Sequence, residues 1–205
     1  MKLYYFPASP NSRKAHAVAI HLDLPMNLRL IDLQKGEQRT SEFKQFNPTG
    51  RTPVLQDGEF VLWESTAIMQ YLASQTHNSL WPENAQSRAD IMRWQSWQLA
   101  HWQSACQPLQ FERVVKQILQ LGDPDPQVVE QATQRFHQEA AVLNQHLAER
   151  TYLVDETLTL ADFSVASDFT YAGPGQFPLE SYPHIQAWYA RIEQLPAWQK
   201  TDPRG

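Results

Sequence analysis

The residues whose order suggests chemistry lie in one stretch, from Thr49 to Ser65. Ser65 precedes Thr66-Ala67-Ile68-Met69-Gln70-Tyr71-Leu72, which has helical period. A helix starting at Ser65 presents unpaired backbone N–H groups and the positive end of its dipole, which suits a carboxylate. Thr49-Gly50-Arg51-Thr52-Pro53-Val54-Leu55 reads as a strand opened by a proline, where the missing N–H does least harm. Asp57-Gly58 between apolar runs signals a tight hairpin turn. A proline-opened strand edge beside a helix start could hold a small peptide-like anion by its main chain. Of the seven tryptophans, Trp94, Trp97 and Trp102 are clustered. They either pack a helical core or line a pocket for flat apolar molecules.

The elements that must position these residues follow from the pattern of apolar positions. Lys2-Leu3-Tyr4-Tyr5-Phe6 reads as a buried strand, followed by the loop Pro7-Ala8-Ser9-Pro10-Asn11-Ser12. From Arg13, Ala15, Val18, Ala19 and Leu22 keep helical spacing, and Asp23-Leu24-Pro25 ends that helix. Asn27-Leu28-Arg29-Leu30-Ile31-Asp32 is a second strand, expected parallel to the first after a right-handed crossover. A short helix is expected over 41–46. The first 75 residues therefore read βαβ, short helix, ββα.

The stretch 76–85 is polar and aperiodic, and reads as a linker. Beyond it no strand is evident. The spacing predicts a long helix over 86–121 that contains Pro108, a site of kinking. Asp125-Pro126 caps and starts another, with Val129, Ala132, Phe136, Ala140, Leu143 and Leu147 on one stripe. Thr159 and Asp162 form a shortened capping box, with Leu158 and Phe163 at staple positions. A last helix starts at Tyr182-Pro183-His184 and ends near Leu195-Pro196.

The totals narrow the function classes. A chain of 205 residues with 42% hydrophobic and 19% charged residues can bury a core and is not disordered. A net charge of -5 argues against a general nucleic-acid binder. One cysteine, Cys106, excludes an intramolecular disulfide and any multi-cysteine metal site. No apolar run approaches the ~20 residues needed to span a membrane, and no signal peptide is evident, so the cytoplasm is expected.

With Arg51-Thr52-Pro53-Val54, Glu64-Ser65, the segment from Thr159 to Asp162 and the loop Ser9-Pro10-Asn11-Ser12-Arg13 in this order, the whole chain resembles a cytosolic glutathione S-transferase. The resemblance is to a serine-type or Pro-Asn-loop, bacterial-like member. It implies an α/β thioredoxin-like N-terminal domain (1–75) that binds glutathione, a linker (76–85), and an all-α C-terminal domain (86–205) that completes the electrophile site.

The resemblance also assigns residues. Pro53 would follow a cis bond and leave the Thr52 main chain to pair with the cysteinyl part of glutathione, a short strand addition. Ser65 and Glu64 would hold the γ-glutamyl end. Arg51 is the candidate for the glycyl carboxylate, with Lys35 and Gln38 behind it. A thiol of pKa near ~8.5 lowered by ~2 units requires ~2.7 kcal/mol of thiolate stabilisation. Ser9, Asn11 and Ser12 are each candidates to donate to that thiolate. Proline at position 10 departs from the subclass that uses cysteine there. Tyr4 and Tyr5 lie within a strand, which disfavours a tyrosine mechanism.

Trp97, His101, Trp102, Phe111, Phe169 and Tyr171 are candidate walls for the second substrate, and each could equally be core. Asp162 is expected to be structural, and Cys106 a buried small hydrophobe. The activity implied is attack of the activated glutathione thiol on small hydrophobic electrophiles, as in detoxification. The expected assembly is a homodimer using about 65–75 and 86–101, with no metal, nucleic acid or membrane partner. Two alternatives stand beside it, a glutathione-dependent disulfide reductase or isomerase and a glutathione-binding protein without turnover. A serine hydrolase is disfavoured because no Gly-x-Ser-x-Gly elbow occurs.

Overall fold

The computed structural model describes residues 1–203, which fall into two compact units. The first takes the chain as far as Pro82 and again from Gln194. Its elements are β1 (Lys2–Tyr5), α1 (Pro10–His21), β2 (Asn27–Leu30), α2 (Ser41–Phe46), β3 (Val54–Asp57), β4 (Phe60–Trp63), α3 (Ser65–Ser74) and, near the end of the chain, α10 (Pro196–Gln199). The sheet order is β2-β1-β3-β4, with β1 and β2 parallel and the other pairs antiparallel. The strand–helix–strand start thus yields the expected parallel pair.

Period-2 alternation divides this sheet's side chains. Tyr4 and Val54 face a cluster with Ile31 and Phe43, where Phe46 stacks on Tyr4 at 5.0 Å. Leu3 and Leu55 lie on the opposite face and are fully buried. α1 packs on α3, burying Ala15, Val18, Ala19, Ile68, Met69 and Leu72. Burying each large aliphatic side chain contributes about 1.5–3 kcal/mol. The two-residue hairpin loop between Asp57 and Phe60 needs Gly58 at φ +58°, which glycine adopts without a Cβ penalty.

The second unit is helical. α4 (Ala85–Trp97), α5 (Gln103–Gln110) and α6 (Lys116–Leu119) run on through two π turns, Gln98–Trp102 and Phe111–Val115. The long helix expected over 86–121 is therefore continuous. Pro108 lies between the two widened turns, one way for a helix to accommodate a missing donor. α7 (Pro126–His146) starts on Asp125, whose carboxylate accepts from the N–H groups of Gln127 and Val128. α8 (Leu160–Ser167) and α9 (Pro183–Glu193) close the unit around Trp102, Phe136, Phe169 and Trp188. No helix among the described residues is long and apolar enough to cross a membrane.

Two expectations are corrected by the fold. α1 begins at Pro10, not Arg13, because Ser9 is its N-cap and Pro10 its first residue. The segment from Gln194, expected with the helical half, groups with the first unit because α10 packs on α1. The final two residues of the 86–205 span lie outside the described residues.

Candidate active site

Every candidate for holding a peptide-like thiol belongs to the first unit. The Thr52–Pro53 bond is cis, and the β3 ladder begins at Val54, so the Thr52 main chain lies just beyond it. The approach to this corner is held by Asn47, 2% exposed, which sequence reasoning missed. Its Nδ2 donates to the Arg51 carbonyl (2.8 Å) and its Oδ1 accepts from the Thr49 N–H (3.0 Å) and hydroxyl (2.8 Å). The only signal was an Asn-Pro pair at a helix end, which marks turns in general.

Ser65 opens α3 and is 5% exposed. Glu64 before it adopts φ +73°, ψ 112°, a conformation a non-glycine residue rarely takes. Such outliers cluster at ligand clamps, where the surrounding fold enforces them. The Ser65 hydroxyl donates to Asn11 Oδ1 at 3.2 Å. This bond joins the first turn of α3 to the first turn of α1.

The three thiol-site candidates occupy different surroundings. Ser9 is half-buried, and its Oγ accepts from the Ser12 N–H at 3.4 Å, which leaves its own proton to donate. Asn11 is half-buried beside Ser65. Ser12 is completely buried, with its Oγ accepting from the Phe6 N–H at 3.2 Å. Its burial between β1 and α1 takes Ser12 out of the set of donors to an external thiol. Two helix starts, of α1 and α3, thus converge on one corner through Asn11 and Ser65, and both favour negative charge there.

Among the glycyl-end candidates, Arg51 is exposed. Lys35 is exposed and paired with Asp32 at 3.1 Å. The Lys35 N–H and ammonium, with the Gln34 N–H, hold the Asp32 carboxyl below its usual range. Gln38 donates to the Leu33 carbonyl at 3.4 Å. Its own carbonyl stands 3.0 Å from where a Cβ on Gly50 would fall, and Gly50 has φ +64°, so glycine is needed there.

The candidates for the second substrate lie in the second unit and separate clearly. Trp102 and Phe169 are buried core residues, 5.3 Å apart and packed on Phe136 and Trp188 respectively. They do not face solvent, which corrects their assignment as pocket walls. Trp97 is half-buried, stacks on Trp102 and donates to Glu139 at 3.1 Å. His101 and Phe111 are exposed on the two π turns, and Tyr171 is half-buried. π turns are frequent at functional positions.

Asp162 is fully buried, as a capping residue. Its Oδ1 accepts from the Leu153 N–H (3.0 Å) and the Trp188 indole N–H (2.9 Å), and its Oδ2 accepts from the Thr159 N–H (2.9 Å) and hydroxyl (3.1 Å). Burial nevertheless pushes its carboxyl up to about 6, with these four donors pulling the other way. Burial pushes the Cys106 thiol up, helped by nearby Asp168. No group of three His, Cys, Asp or Glu side chains among the described residues is arranged to hold a metal.

A four-stranded mixed sheet with its helices, followed by a helical domain, is the thioredoxin-like arrangement with an all-α C-terminal domain. Residues 1–74 match the glutathione S-transferase N-terminal domain, and residues 101–196 match its C-terminal domain. Glutathione S-transferase 3 of Zea mays is 34% identical over 98% of this chain and 92% of its own length. Glutathione S-transferase theta-2B of Homo sapiens is 28% identical over 94% of this chain and 80% of its own. The solved theta class glutathione S-transferase from the citrus canker pathogen Xanthomonas axonopodis pv. citri, with glutathione bound, superposes with a TM-score of 0.88. It is 30% identical and covers 98% of this chain and 96% of that one. The chain belongs to the glutathione S-transferase family of enzymes.

Proposed function

We propose that this chain binds glutathione in the first unit and activates its thiol, with Ser9 as the hydroxyl donor, for attack on small hydrophobic electrophiles. The observation that carries the reading is the 3.2 Å bond from Ser65 to Asn11. It couples the helix start suited to the γ-glutamyl carboxylate to the turn that carries Ser9. Thr52 and Pro53 hold the cysteinyl main chain, Glu64 faces the ammonium, and Arg51 takes the glycyl carboxylate. Asn11 sets the orientation of Ser65.

The bound thiol gives its proton to solvent. The thiolate, stabilised by the Ser9 hydroxyl and the α1 start, then forms a carbon–sulfur bond while the halide of a haloarene departs with its electron pair, or while the C=N π pair of an isothiocyanate passes to nitrogen, which takes a proton from solvent. Trp97, His101, Phe111 and Tyr171 are the proposed contacts for the electrophile. Cys106 is fully buried, which argues against a protein thiol in the cycle and so against disulfide exchange through the chain itself.

The reading includes a cytosolic homodimer with a detoxifying role. The exposed Phe60 and Trp63 on β4, at 48% and 38% exposure, are large apolar side chains that a second copy could cover. Ser9→Ala, Asn11→Ala and Ser12→Ala assayed against haloarenes, isothiocyanates and disulfides test the reading. Ser9→Ala should lose about 10²-fold or more in conjugation rate, as for a removed oxyanion donor. Full conjugation activity in Ser9→Ala would overturn the assignment. Turnover of disulfides alone would move the chain to the reductase reading.

A further inference from the structure

We propose that the tail segment 196–203 is a working part of the thiol site, with Arg13 as a positioning residue that ties the first turn of α1 to it. This rests on the reading of Ser9 and Asn11 as the thiol corner. Arg13 directly follows Ser12, and its N–H donates to the Ser9 carbonyl at 2.9 Å, closing that turn. Its side chain reaches the tail instead. The guanidinium donates to the Trp198 carbonyl at 3.1 Å, pairs with Asp202 at 3.5 Å and lies 4.1 Å from the centre of the Trp198 ring. Arg13 is 3% exposed and Trp198 1%.

A buried cation is a costly way to hold a tail on a helix. Apolar packing serves that purpose as well or better. What the guanidinium adds is direction. Its Nη2 donates to both the Trp198 carbonyl and the Asp202 carboxylate while the guanidinium plane lies over the Trp198 ring, and together these set the depth of the backbone it hangs from.

The first turn of α1 then has three side-chain anchors. Ser12 ties it to the end of β1 through the Phe6 N–H, Asn11 ties it to Ser65, and Arg13 ties it to the tail. Two of these tie the turn to the end of β1 and to the start of α3. Arg13 fixes the turn against the tail. Beside it lies a cavity of about 120 Å³ lined by Tyr5, Ser12, Arg13, His16, Lys200 and Asp202. The turn can relax into this space when the clamp is loosened. Of the titratable neighbours, His16 comes from α1, Tyr5 from β1, and Lys200 and Asp202 from the tail. Burial lowers the pKa of His16, which favours its neutral form beside Arg13.

The test uses the full chain with glutathione. The thiolate absorbance of the bound tripeptide is titrated against pH, and kcat and KM for glutathione are measured, in Arg13→Lys, Asp202→Asn and Ser9→Ala. Lysine keeps the charge but not the planar face that lies over the Trp198 ring. Arg13→Lys should raise the pH at which the bound thiol ionises and lower kcat at neutral pH about tenfold, as a misplaced reacting group does. Its glutathione KM should stay within about twofold, since the clamp touches no glutathione-holding residue. Asp202→Asn, nearly identical in shape, should move both readouts in the same direction by a smaller factor and covers the case of a lysine variant that does not fold.

A shift in Ser9→Ala with none in Arg13→Lys or Asp202→Asn overturns the proposal and leaves the thiol corner standing. A lowered melting temperature in the clamp variants with an unchanged thiol titration overturns it too, since that is what a merely structural contact gives. An unshifted Ser9→Ala removes the thiol corner, and this proposal with it.

Discussion

Asp162→Asn separates hydrogen bonding from charge at the most buried carboxyl of the molecule. In the native protein each carboxylate oxygen accepts two bonds, one oxygen from Leu153 and Trp188, the other from Thr159 alone. Asparagine has one oxygen. Its best orientation keeps that oxygen on Leu153 and Trp188 and turns the NH₂ toward Thr159. The Thr159 hydroxyl can rotate to accept, but the Thr159 N–H is left without an acceptor, a cost of about 1–3 kcal/mol.

The charge acts in the other direction. The folded carboxyl titrates at about 6 against an ordinary 3.8, so the folded state holds the proton more tightly. For this raised acid the associated stability is fully present below 3.8 and is lost as pH rises through about 6. Between about pH 5 and about pH 7.5 that loss comes to about 1.4 kcal/mol. Urea unfolding followed by tryptophan fluorescence, at both pH values and for both proteins, gives the difference directly. Trp188, whose indole donates to Asp162, is one of the seven tryptophans in that signal. The asparagine variant should lack about 1.4 kcal/mol of the native pH dependence and should be nearest to the native stability at the higher pH. An identical pH dependence in the two proteins would refute the account of Asp162 as a carboxyl raised by burial.

Three further outcomes follow from particular contacts. A Cβ on Gly175 would stand 2.8 Å from the Tyr171 carbonyl and 2.9 Å from the Phe177 ring, so Gly175→Ala should lose about 1–3 kcal/mol in urea unfolding. Ser65→Ala removes the hydroxyl between α3 and Asn11. It should weaken glutathione binding by calorimetry with a smaller change in kcat, and unchanged affinity would count against Ser65 as a ligand residue. Cys106 is buried with its thiol pKa raised, so a thiol reagent should label the native protein only at the rate of opening and the urea-unfolded chain at once. Rapid native labelling would contradict its burial.

Local patterns carried much of the architecture. The parallel start of the sheet, the Asp57-Gly58 hairpin, the Asp125-Pro126 cap and the Thr159–Asp162 box were legible because each is decided within a few residues, by turn chemistry and orphan N–H groups. Ser9-Pro10 carries the same cap signature as Asp125-Pro126, but the apolar period begins only from Arg13, so the pattern alone places the helix start too late. Asn47 gave no signal beyond a turn, since its partners are backbone atoms that only the folded loop brings within reach.

Aromatic residues were ambiguous for a different reason. Burial is a property of what packs around a side chain, so Trp102 and His101, adjacent in sequence, end in the core and in solvent. The cis Thr52–Pro53 bond was expected from the family resemblance and not from the residues, where trans is the default. The sequence by itself determined the two-part fold and supplied the candidate residues for a peptide-like anion. Tertiary structure decided which of them meet. Ser65 and Asn11 are 54 residues apart, and Arg13 and Trp198 are 185 apart, distances over which no local pattern acts and only packing chooses the partner.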